Sequence, residues 1–153
     1  MELTVPAVSQ LAHTIQLAVA PVFLLAGISG FLNVAAGRLA RVVDRARVLE
    51  REFTAADHPE HGRQVWELRL LDKRISLANW AIFLCTASAV MICAVVAGLF
   101  VTSLAGLGFG RTMAVMFIVA MLLLIFGLAL FLVEVRYASY TIRVRDELLE
   151  RRR

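Results

Sequence analysis

Residues 112–133 read TMAVMFIVAMLLLIFGLALFLV, 22 consecutive positions without Asp, Glu, Lys or Arg. A helix needs about 20 apolar residues to cross the hydrocarbon core of a bilayer, so this stretch predicts a transmembrane helix. Two further charge-free runs precede it, 36 residues at 75–110 and 35 residues at 3–37. The three runs take up 93 of the 153 positions. Mean hydropathy is +0.78, and 60% of residues are hydrophobic against 18% charged. That balance argues against a soluble enzyme domain. It predicts an all-α polytopic membrane protein, a single membrane domain over 1–153 with spans at about 11–36, 75–104 and 112–133, surrounded by the lipid bilayer.

The charges set the expected topology. Nine of the 16 Lys and Arg residues lie in 37–74 and six in 134–153, leaving only Arg111 between the second and third runs. Basic loops stay cytoplasmic. The N-terminus and 105–111 are therefore expected outside, and 37–74 and the C-terminus inside. A cleaved signal peptide opens with positive charge and has a short apolar core. Here no Lys or Arg precedes Arg38, so the first run is read as a retained span. The basic balance does not point to nucleic acid, because no aromatic-interleaved basic motif accompanies it. Charged segments that mix both signs suit helices beside anionic headgroups.

Between the runs the helical pattern does not stop. Leu39, Val42, Ala46, Leu49 and Phe53 step 3-4-3-4, the apolar seam of a coiled coil. The first span is thus expected to continue as one helix to about Phe53, roughly 65 Å in all at 1.5 Å per residue. Pro21 interrupts it only as a kink that membranes tolerate, and Met1–Gln10 reads as a short interfacial segment. Ala56-Asp57-His58-Pro59-Glu60-His61-Gly62 reads as a turn. A second helix is expected from near Arg63, with Val65, Leu68, Leu71 and Ile75 on one stripe, running into the second span. Ala105-Gly106-Leu107-Gly108-Phe109-Gly110-Arg111 reads as a tight glycine-rich link. The third span continues through Val135, Ala138, Ile142 and Leu149. The expectation is a cytoplasmic helical hairpin at 37–74 and a C-terminal helix at 134–153, together forming a bundle.

Candidate sites are few. The first span is the least lipid-like. Gln16, Ala26, Gly30, Asn33, Gly37, Arg41 and Arg45 fall within about 120° on a helical wheel, with Arg38 beside them. Small residues at such spacing allow close helix approach, and Asn or Gln adds a hydrogen bond between helices. The same stripe would serve a homo-oligomer with the first span at a pore axis, Gln16 near the outer mouth and Arg38, Arg41 and Arg45 near the inner one, since rings of side chains select ions. The alternative is a non-conducting scaffold that presents its cytoplasmic bundle to a partner protein. Cys85 and Cys93 stand about 80° apart on one helix and read as buried thiols, not a disulfide. Gly106 to Gly110 superficially resembles a potassium-channel filter but has no re-entrant pore helix before it. His58 and His61, with Asp57 and Glu60, lack the further ligands a structural metal needs. No catalytic set emerges, so no enzyme activity and no cofactor are expected. Glu134 reads as a residue of the membrane boundary and not as a buried carboxylate.

The segment Ile15 to Ile28 (IQLAVAPVFLLAGI), then Leu32-Asn33-Val34, then Gly37 to Arg47 (GRLARVVDRAR) resembles a family of small bacterial membrane proteins catalogued as a domain of unknown function. The resemblance implies three spans and a cytoplasmic loop, and it supplies no activity, ligand or cofactor. A pore helix continuing inward as a basic helix is also similar, at fold level only, to store-operated calcium channels. Those have four spans and an acidic outer ring where this chain has Gln16.

Overall fold

The computed structural model describes residues 5–52, 61–106 and 108–143. They form three helices: α1 (Val5–Arg51), α2 (His61–Ala105) and α3 (Gly110–Arg143). Each is long and apolar enough to cross a membrane. At 47, 45 and 34 residues, each also exceeds the roughly 20 residues that a crossing needs. The chain is an all-α, multi-pass membrane protein.

The long helices bear out the reading that the spans continue beyond the apolar runs. The helix ends differ locally from expectation. Residues 5–10 belong to α1 and are not a separate segment, and Pro6 is accommodated because the first turn of a helix has no N–H partner to lose. Pro21 lies inside α1 without ending it. His61 and Gly62 open α2 instead of closing the turn. The rest of that turn, including Asp57, His58 and Glu60, lies outside the described residues, as do Phe53 and the chain from 144, where Leu149 falls. The link between α2 and α3 is a turn at Gly106, whose φ of 64° is a conformation that L side chains rarely adopt.

Burial follows a seven-residue step along every helix. On α1, Thr14, Pro21, Ile28, Ala35, Val42 and Leu49 are buried. On α2 there are two such rows, Gln64-Leu71-Ala78-Cys85-Ile92 and Ala81-Ser88-Val95. On α3 the row is Ala120, Gly127 and Glu134. A seven-residue repeat keeps one seam facing the neighbouring helices.

The helices contribute to two compact units. The first comprises 1–33 and 84–125. Its core is Ile28, Cys85, Ile92, Ala120 and Leu124, with Leu24, Phe31 and Met91 packed against it. Ser88 Oγ donates a 2.7 Å hydrogen bond to the carbonyl of Ala120, and the Thr14 hydroxyl lies 3.2 Å from that of Ser103. The second unit comprises 34–83 and 126–153. Val42, Leu49 and Leu71 form its core, flanked by Ala46, Leu68 and Ile75. The seam expected on α1 and the stripe expected on α2 thus meet each other.

Candidate functional site

Each apolar run is bounded by a charge: Arg38 follows the first, Arg74 precedes the second, and Glu134 follows the third. These three residues converge within the second unit. Glu134 is 1% exposed. Arg74 donates to its Oε1 from Nε at 3.3 Å and from Nη2 at 3.0 Å. Arg38 Nη2 stands 3.6 Å from Oε2, an ion-pair distance too long for a hydrogen bond. Oε2 itself has no hydrogen-bond partner. The Arg38 guanidinium also lies 5.6 Å from the centroid of the Phe131 ring, close enough for a cation–π contact. One buried carboxylate is thereby held between two guanidiniums. A buried carboxylate persists only when such partners offset its desolvation.

A second, exposed pair lies in the same unit, where Arg45 donates to Glu67 Oε1 from Nη2 at 2.8 Å and from Nε at 3.1 Å. Arg41 is exposed. It has no ion pair or hydrogen bond among the described residues.

The buried Glu134 corrects the sequence expectation. Its position at the end of the third apolar run places Glu134 at the membrane boundary, yet Glu134, and not the neighbouring Val135, continues the buried row. Stepping back by sevens from Glu134 reaches Gly127 and Ala120, the residues that allow close approach. That spacing was the available signal for a carboxylate at a core position. Cys93 is a second correction: Cys85 is buried, but Cys93 is exposed. Both thiols are free.

The stripe on α1 is placed as follows. Gln16, Ala26, Gly30, Asn33, Gly37 and Arg41 are all exposed. A Cβ added at Gly30 or Gly37 would meet nothing within 4 Å. This face is therefore directed away from the contacts that α1 makes within the chain. Arg38 and Arg45 depart from it, since both turn to carboxylates on other helices.

Three long apolar helices, the second and third joined by a turn at Gly106, with an ion cluster where the apolar runs end, define a three-span integral membrane protein. Residues 18–144 match the family model described as Protein of unknown function (DUF2721), and the chain belongs to that family. No curated protein and no solved structure matches it.

Proposed function

We propose that this protein is the subunit of a homo-oligomeric membrane assembly that passes ions, with the outward face of α1 at the shared axis and no enzymatic activity. One observation carries this reading: Gln16 and Asn33 lie within the first apolar run, are exposed on the single chain, and share their face with Gly30 and Gly37, where an added Cβ would meet no atom within 4 Å. Side-chain amides left facing hydrocarbon are costly. A neighbouring copy, or water along an axis, removes that cost. The family resemblance supports a bacterial cytoplasmic membrane, and the charge split supports the N-terminus outside with 37–74 and 134–153 in the cytoplasm.

A second reading, a non-conducting scaffold for a cytoplasmic protein partner, has its own support. Ala26, Gly30 and Gly37 would bring neighbouring α1 helices close and would not hold a lumen open. Arg38 and Arg45 are engaged by Glu134 and Glu67, which leaves Arg41 to line an inner mouth.

Sizing the purified protein by light scattering, followed by ion flux in liposomes, separates these readings. The pore reading expects an oligomer, flux, smaller particles for Gly30→Leu, and altered ion selectivity for Arg41→Glu. A stable oligomer without flux under any gradient selects the scaffold. A monomer in lipid removes the pore reading and leaves the scaffold. Thiol labelling from outside should reach Gly108→Cys and not Glu60→Cys, and the reverse pattern would invert the topology.

A further inference from the structure

Beside the Glu134 cluster, the second unit carries a cleft of about 330 Å³ lined by Arg38, Arg41, Val42, Arg45, Leu71 and Arg74. Four of its six lining residues are arginines. We propose that this cleft is a binding site for a phosphate group, either the headgroup phosphate of an anionic lipid or a soluble phosphate.

The charge balance favours an anion. Glu134 and Glu67 engage three of the four guanidiniums, Arg38 and Arg74 on the first and Arg45 on the second, so four positive charges face two negative ones. Arg41 contributes a guanidinium with no partner among the described residues. Arg38 is held loosely, at 3.6 Å from Glu134, so its N–H groups are not hydrogen-bonded to that carboxylate. Guanidiniums present N–H groups in a planar fork that matches the oxygens of a phosphate. Val42 and Leu71, both buried, supply an apolar wall, and low polarity strengthens charge-assisted hydrogen bonds.

Position favours the same ligand class. Arg38 directly follows the run 3–37 and Arg74 directly precedes the run at 75–110. Both lie where apolar sequence ends, the depth at which basic pockets between membrane helices meet lipid headgroups. The glutamate is the inner partner and the arginines the outer ones: the Glu134 side chain is 2% exposed, against 17% for Arg74 and 31% for Arg38. An entering anion therefore meets guanidinium before carboxylate. This inference does not depend on the oligomer or on conduction.

The test uses the full chain in two arms. In the first, protein in equimolar phosphatidylcholine and phosphatidylglycerol nanodiscs is compared with protein in pure phosphatidylcholine, and lipid retained after transfer to detergent is counted by native mass spectrometry. In the second, inorganic phosphate is titrated calorimetrically onto delipidated protein at constant ionic strength, with chloride as the balance. Selective retention of phosphatidylglycerol alone assigns the site to lipid. Saturable phosphate binding alone assigns it to a soluble anion, and both together mean that the phosphate group suffices. Arg41→Gln should weaken the responding arm about tenfold, the loss of one charge-assisted contact, with an unchanged unfolding midpoint. Arg69→Gln, outside the cleft, should leave it unchanged. Neither ligand binding, or binding indifferent to both Arg41→Gln and Arg45→Gln, would overturn the proposal.

Discussion

The two units use the same helices and the same seven-residue spacing, yet they are held by different groups. In the unit formed by 1–33 and 84–125, the core is Ile28, Cys85, Ile92, Ala120 and Leu124, and the polar contacts are neutral hydrogen bonds from Ser88 and Thr14. In the unit formed by 34–83 and 126–153, Val42, Leu49 and Leu71 are buried beside Ala35, Ala78 and Ala81, and the polar contacts include ion pairs. The difference follows from the surroundings. Lipid tails are as apolar as a leucine side chain, so leucine burial drives little association there, and close approach with occasional hydrogen bonds takes its place. Burial of branched side chains supplies a driving force only to the extent that a segment otherwise meets water, as charged stretches such as 38–52 are expected to do. Substitutions can break this contrast from either side.

The largest effect is expected at Leu49. It is 5% exposed in the second core, so Leu49→Asp loses its packing and places a carboxylate among apolar groups. The expected cost is about 4 kcal/mol or more, against less than about 0.5 kcal/mol for exposed Arg47→Asp. Unfolding midpoints of the two variants in mild detergent check this. Equal midpoints would mean that the second unit is not held by a water-type core.

Next comes the ion cluster. Arg74→Met leaves Glu134 buried with only the distant Arg38, at an expected cost of about 3 kcal/mol. The double variant Arg74→Met, Glu134→Leu should recover most of that loss, since well-packed apolar groups commonly replace a buried ion pair without penalty. Recovery would show that the cluster is retained for something other than stability, as a ligand site requires. A double variant no better than the single one would make the cluster a structural necessity of the second unit.

The legible part of this protein was whatever depends on runs and periods. Absence of charge over whole spans marked the three helices, and the 3-4 spacing of Leu39, Val42, Ala46 and Leu49 marked the seam that α2 completes. Which residues from different helices meet was harder to read. Arg38, Arg74 and Glu134 were visible as the charges that end the apolar runs, and an up-down-up arrangement brings those three ends to one level. What hid the cluster was that Glu134 stands at the end of its apolar run, a position that reads as the membrane boundary. Position along a helix does not say which way a side chain turns, and one residue changes that direction by about 100°. The α1 stripe was readable as a face, but a single chain does not contain the partner that a face implies.

A smaller effect is expected at Ser88, which is fully buried and bonded to the Ala120 carbonyl. Side-chain hydrogen bonds between membrane helices average about 0.6 kcal/mol, so Ser88→Ala should lower stability by about that amount. A loss above about 2 kcal/mol would mean that polar contacts, more than close approach, hold the first unit.

The smallest effect is expected at Gly98, and its sign sharpens the contrast most finely. A Cβ added there would stand 2.6 Å from Met113 Sδ and 3.1 Å from its terminal methyl, so α2 and α3 meet closely at this point. The obstruction is the far end of an unbranched side chain, which has other rotamers available. Alanine also gains up to about 1 kcal/mol over glycine in helix propensity. The two effects oppose each other, and Gly98→Ala should fall within about 1 kcal/mol of the parent. Gly27→Ala, which meets no atom within 4 Å and lies outside the α1 stripe, supplies the propensity term without the clash. The difference between the two midpoints isolates the cost of moving Met113. If Gly98→Ala is no worse than Gly27→Ala, the thioether yields freely and the α2–α3 contact is plastic. If it is worse by more than about 2 kcal/mol, Met113 is locked, and the first unit is packed as rigidly as the leucine core of the second.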